Sequence, residues 1–313
     1  MKIHTIAALT DFSTEAEHAL DRAALLGAKH QAQLILVYGA ESPDPRFANP
    51  QARLEQRARQ IARRHSITVT TREYEGSVAE RALQAAASAD LLVVDRRMER
   101  EWTRFWQGPT LAHCLRNSPC PVLVVQQSAE TDYERMVIAV DGSRASQDLV
   151  RYAGDLQRSA AVDLYHAAAQ STPPSAADAK SGTASADNGN NNNSNSSSNP
   201  LALYQDTLTR HGKSRRLRIK NAFDARRNRV DTHLGTRDMP RQLMVQQQRS
   251  GADLVVIGQL RTGFLASWTF SGIAERLLGQ VACDVLVCAN LPTPRDNTTP
   301  THRSAFPSGR LPA

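Results

Sequence analysis

"ASADLLVVD", Ala87 to Asp95, returns later in the chain as "SGADLVVIG", Ser250 to Gly258. Each copy is an Asp followed by four continuous apolar residues, the pattern of a strand covered on both faces rather than half exposed. The two acids stand 163 residues apart, and the same offset relates "SPCPVLVV" (Ser118 to Val125) to "VACDVLVC" (Val281 to Cys288) through Cys120 and Cys283. Toward the N-terminus "IAALTDFS" (Ile6 to Ser13) matches "IAVDGS" (Ile138 to Ser143), but Asp11 and Asp141 are offset by 130. The chain is therefore a tandem repeat, and one insertion within the second copy accounts for the change of offset.

The insertion coincides with "STPPSAADAKSGTASADNGNNNNSNSSSNP", residues 171–200. It is Asn/Ser-rich and lacks apolar periodicity, so burial cannot offset its ordering entropy, and it is expected to be a disordered loop. Residues 291–313 have the same character and are expected to be a tail. The domains expected are 1–128 and 133–290.

At 313 residues, 41% of them hydrophobic, the chain can bury two ordinary cores. The opening "MKIHTIAALTDFS" meets charge again at Asp11, leaving no room for a secretory apolar segment of roughly 7–15 residues, and no run approaches the ~20 apolar residues of a membrane helix. A cytoplasmic setting without a membrane partner is the expectation. Cys114, Cys120, Cys283 and Cys288 form no C-x-x-C pair and are read as buried, reduced thiols. The histidines are scattered, with no H-E-x-x-H, so no metal is expected. The net charge of +7 is densest in "RHGKSRRLRIKNAFDARRNR", Arg210 to Arg229. Such a patch can attract anions or nucleic acid, but with only Phe223 interleaved it reads first as a solvated strand and loop. Nucleic acid is not expected as a partner.

In the first half, Ile3–Leu9, Gln33–Val37, Ile67–Arg72, Leu91–Val94 and Val122–Val125 read as strands with helical patterns between them. Thr14-x-x-Glu17 suggests a capping box before a helix facing inward through Ala16, Leu20, Ala23 and Ala24. "PQARLEQRARQIARRH" puts Leu54, Ala58 and Ile61 on one face and arginines opposite. Strands alternating with helices predict right-handed crossovers and an α/β fold, each half a five-stranded parallel sheet between helices. Ligands of such sheets bind beyond the carboxyl ends of the strands at the switch point.

These landmarks resemble the universal stress protein family in its tandem, two-domain bacterial form, over roughly 2–126 and 134–289. The resemblance implies two Rossmann-like domains of the adenine nucleotide alpha hydrolase-like kind. It also implies a non-enzymatic stress-response role and the family's G-x-x-G-x9-G-[ST] phosphate loop after strand four, with the Asp after strand one contacting the nucleoside. The family's terminal strand commonly pairs domains, so "PVLVV" and "DVLVC" are expected to self-associate, within the chain or as a dimer.

Against that motif the second half keeps Gly258, has Arg261 in place of the second glycine and Ser271-Gly272 in place of Gly-Ser. With Asp141 these residues bound the expected adenine-nucleotide (ATP) site, weak or altered. Arg261 can be read as a filler of the phosphate space, as a cation pairing with phosphate, or as a solvent-facing loop residue. In the first half Asp95 and Met98 replace glycines and Gly108-Pro109 lacks one amide donor, so this half is expected not to bind. Trp102 and Trp106, four apart, read as a packing or dimer surface rather than a base-stacking platform. The alternatives are an enzyme of the wider adenine-nucleotide hydrolase-like group, against which stands the lack of H-x-G-H and S-G-G-x-D-S, and an anion or nucleic-acid binder using Arg210 to Arg229.

Overall fold

A computed structural model describes residues 2–40, 48–96, 110–140, 143–166, 217–220, 239–258 and 273–291. The expected loop at 171–200 and nearly all of the expected tail lie outside them. The first half runs β1 (Thr5–Thr10), α1 (Thr14–His30), β2 (Gln33–Tyr38), α2 (Pro50–His65), β3 (Val69–Arg72), α3 (Val78–Ala87), β4 (Leu91–Asp95), α4 (Thr110–Asn117) and β5 (Val122–Val125). The second runs β6 (Arg135–Val140), α5 (Arg144–Leu156), β7 (Ala161–His166), β8 (Leu217–Lys220), α6 (Met239–Ser250), β9 (Leu254–Gly258), a helical segment at 273–278, and β10 (Asp284–Cys288).

All ten strands form one sheet in the order β3-β2-β1-β4-β5-β10-β9-β6-β7-β8. Each half contributes five parallel strands, and the halves meet where β5 and β10 pair antiparallel, Leu123 opposite Leu286. Self-association through the terminal strands is thus realised within the chain. Leu91 and Val93 of β4 join the core on one face of the sheet, Leu92 and Val94 the core on the other. The β9 residues Leu254 and Val256, then Val255 and Ile257, divide in the same way. Both cores cross the seam without a break. Of the basic stretch, only β8 is described, an edge strand on β7.

The Asp of each repeat opening has a structural task. Asp90 Oδ2 accepts the amides of His4 and Thr5 at 2.8 and 3.0 Å, and Asp253 accepts those of Glu134 and Arg135 at 2.6 and 3.1 Å. Each carboxylate thereby ties the start of a fourth strand to the start of its first, setting the parallel register from outside the ladder.

The cap of α1 is Ser13, not Thr14. Ser13 is held extended (φ −72°, ψ 163°) because its amide donates to Asp11 Oδ1 at 2.8 Å, and its Oγ accepts from Ala16 N at 3.2 Å. Glu17, expected to complete a box, instead pairs with Arg57 of α2 at 2.6 Å. Arg57 also reaches Asp21, so at least this arginine of the α2 polar face is a helix-to-helix tie rather than a solvated charge. A true capping box stands at Ser77-x-x-Glu80, where the Glu80 carboxylate accepts the Ser77 amide at 2.8 Å and its carboxyl is held below the usual range by that bond. Leu54, Ala58 and Ile61 are buried as the periodicity predicts. The four cysteines are buried and free, and burial pushes the thiols of Cys114, Cys120 and Cys283 up to about 12. They pack as small apolar groups. Among the described residues no helix is long and apolar enough to cross a membrane.

Candidate functional site

The strand order places β1 between β2 and β4, and β6 between β7 and β9, so each half changes winding direction between its first and fourth strands. The ladder of β6 on β9 ends at Ile138 and Val256, two residues before either strand does. The β1–β4 ladder likewise ends at Ala8 and Val93. Two strands that part before they end open a crevice at their carboxyl edge, which is where ligands of doubly wound sheets sit.

In the second half Val140 and Gly258 border that crevice. Asp141, Arg261, Ser271 and Gly272 lie outside the described residues, which begin again with the helical segment at Ile273. Ser143 caps α5 as Ser13 caps α1, with φ −74°, ψ 163° and Ser146 N donating to its Oγ at 3.2 Å.

Gly258 is glycine for a reason the spacing of a phosphate motif does not reveal. A Cβ on it would stand 2.8 Å from Leu149 Cδ2 of α5, a fully buried side chain, so Leu149 takes the room beside the strand. The repeat offsets pair Gly258 with Asp95 and Leu149 with Ala19. The first half therefore has a small residue on the helix and a larger one on the strand, and both Ala19 and Asp95 are buried. Large and small have changed places between the copies.

The first half's edge is built from side chains that motif reading passed over. Phe12 holds a left-handed backbone, φ 64°, at the position that the repeat gives to Gly142. Its ring stacks on Tyr38 at the end of β2, centroids 5.3 Å apart and 29° between planes, and the Arg53 guanidinium lies 4.9 Å from its centroid on α2. Asp11, beside Phe12, is engaged in fixing the cap. Arg96, just past β4, donates to Gln126 Oε1 at 3.1 Å. The signal that could have found this cluster was the exchange of Phe12 for Gly142 in the aligned repeat. Arg97, Met98, Trp102, Trp106, Gly108 and Pro109 lie outside the described residues. Among the described residues no three His, Cys, Asp or Glu side chains gather to hold a metal.

Two doubly wound α/β halves, joined edge to edge with a switch point in each, define a tandem protein of the Rossmann-like α/β class. The chain belongs to the universal stress protein family, whose model matches residues 2–126 and 132–289. No curated protein matches it. Among solved structures, a universal stress protein from Archaeoglobus fulgidus DSM 4304 superposes with a TM-score of 0.60 at 11% identity, covering 91% of this chain and 96% of that one. A candidate universal stress protein from Pseudomonas aeruginosa UCBPP-PA14 gives 0.56 at 19% identity over 91% and 92%. At these identities the likeness concerns the fold.

Proposed function

We propose that the chain is a cytoplasmic, non-enzymatic tandem universal stress protein acting in the stress response. Its first half is an interaction scaffold, and its second half is the one able to take an adenine nucleotide, weakly. The observation that carries this is the asymmetry of the two crevices. In the first, Asp95 ends β4 and the Phe12–Tyr38 stack stands beside Asp11, where the family resemblance puts the nucleoside. A carboxylate there disfavours a neighbouring phosphate, and the stacked rings are already engaged with each other and with Arg53. In the second, Gly142 replaces Phe12 and Gly258 carries no charge where Asp95 does, which leaves Asp141, Gly258, Arg261, Ser271 and Gly272 as the proposed boundary of a site. Affinity is weak in this reading because Arg261 replaces the second glycine of the phosphate loop.

Titration calorimetry with ATP tests the reading. Arg261→Gly should strengthen binding if the arginine fills phosphate space, the outcome we expect, and weaken it by about 1.5–3 kcal/mol if it pairs with phosphate. No heat from parent or variant at millimolar ATP overturns nucleotide binding altogether. Purified protein should not turn ATP over above a buffer control, and hydrolysis abolished by Asp141→Ala would make it an enzyme instead.

A further inference from the structure

The seam between the halves is symmetric in its backbone and unsymmetric in its charge. β5 and β10 pair about Leu123 and Leu286, which are equivalent residues of the repeat, so in backbone terms either half could pair with a second copy of itself. The two ends of this ladder differ. At one end Asp284, 1% exposed, opens β10, and the Arg22 guanidinium of α1 reaches across from the first half to within 3.3 Å of it. Arg22 is itself buried, lies 4.0 Å from the Tyr133 ring centroid and donates to Thr131 O at 2.8 Å. Tyr133 donates to the same carboxylate at 2.6 Å, and the amides of Gln126 and Gln127 donate to its other oxygen at 2.8 and 3.3 Å. At the other end the equivalents of Asp284 and Arg22 are Pro121 and Tyr152. Tyr152 crosses the seam to a neutral acceptor, Asp90 O, at 3.0 Å, and Asn290 Nδ2 donates to Ser118 O at 2.9 Å.

We propose that this charge pattern makes the seam an interface for unlike halves only: the β5–α1 surface of the first half takes a second half, and rejects another first half. If two second halves paired, the repeat would supply most of Asp284's partners. Tyr133 is in its own half, and Ala289 and Asn290 would bring the two amides. The cation would be missing, since Tyr152 stands where Arg22 does, leaving two carboxylates buried without a counter-charge. If two first halves paired, Arg22 would face Pro121 and Ile3 in place of Asp284 and Tyr133, leaving two buried guanidinium groups. A buried charge stripped of its partner is strongly destabilising even where the intact pair itself adds little. The repulsive element, not the attraction, provides the selectivity.

The test lets the halves choose. A protease site replacing Ser128 to Glu130 in the linker is cut in the folded, full-length protein. The cut protein, with both halves present, is unfolded in urea and diluted, and the pairs are weighed by native mass spectrometry. Pairs of one first and one second half should exceed like-half pairs at least tenfold. Like-half pairs in statistical proportion overturn the proposal. So does recovery of unpaired halves, because the tether rather than the seam would then carry the pairing. The same cut protein with Arg22→Met and Asp284→Asn should show like-half pairs raised tenfold or more, and unchanged selectivity there overturns the role assigned to the charges.

Discussion

At the scale of single residues, two positions carry a physical requirement that their chemistry alone does not announce. Gly258→Ala drives a methyl group toward Leu149 Cδ2, and overpacking a filled core costs about 1–3 kcal/mol. Denaturant unfolding should show that loss, and the double change with Leu149→Ala should recover part of the steric cost while exposing the cavity cost of the lost leucine; independent, additive effects would remove Leu149 as the reason for the glycine. Phe12 is the converse case, a bulky residue at φ 64°. Phe12→Ala keeps the left-handed strain and loses the stack on Tyr38, whereas Phe12→Gly loses the stack and relieves the strain. Glycine should therefore be the more stable replacement by about 1 kcal/mol, against its usual rank. An equal or reversed order would mean that the backbone there relaxes freely.

At the scale of elements, the repeated aspartates and the seam carboxylate act on how strands are joined. Asp90→Ala removes a charged acceptor from two strand-opening amides, as does Asp253→Ala in the other half. Each should cost about 1–3 kcal/mol, with the two losses alike in size because the geometry is repeated. Asp284 behaves differently. Burial raises its pKa, against the lowering pull of the Gln126 amide, Tyr133 and Arg22. The folded state then holds this proton more tightly than the unfolded one, so the contribution is present at low pH and is lost as pH rises through the folded value. Urea unfolding across the mildly acidic range should show the parent losing stability relative to Asp284→Asn as pH increases. A parent that gained on the variant would contradict the burial of that carboxyl.

At the scale of the whole molecule, the halves are tied by helix ends as well as by strands. Lys29 reaches Asp132 at 2.6 Å and Gln157 at 2.8 Å, and His30 Nε2 bonds Leu156 O at 2.9 Å, joining the C-terminal ends of α1 and α5. Burial lowers the His30 pKa from its ordinary value of 6.5, with the Leu156 carbonyl opposing. The stability His30 contributes is therefore present above that value and is lost as pH falls through the lower folded one. His30→Gln should flatten this part of the acid limb in thermal unfolding, and an unchanged limb would show that His30 binds its proton equally in the folded and unfolded states.

Much of this was legible in the chain itself, because hydrophobic periodicity and self-similarity are local. Two copies of "ADL" followed by apolar residues, offset by 163, together with the helical patterns that alternate with the strands, predict a tandem parallel α/β protein. Covered strands must be apolar on both faces, and this shows in a linear string. What the string does not carry is which residues face one another. Ser13 displaced Thr14 as the cap because Asp11 held its amide, and Glu17 was drawn away to Arg57 on another helix. Gly258 resembled half of a phosphate motif, yet the atom that excludes a Cβ there belongs to Leu149, far off in sequence and adjacent in space. Arg22 and Asp284 are 262 positions apart and belong to no motif, and only the pairing of β5 with β10 brings them to 3.3 Å. Periodicity determines the elements and the repeat determines their order. Steric fit and buried charge depend on contacts between distant segments, and those were decided by the tertiary structure alone.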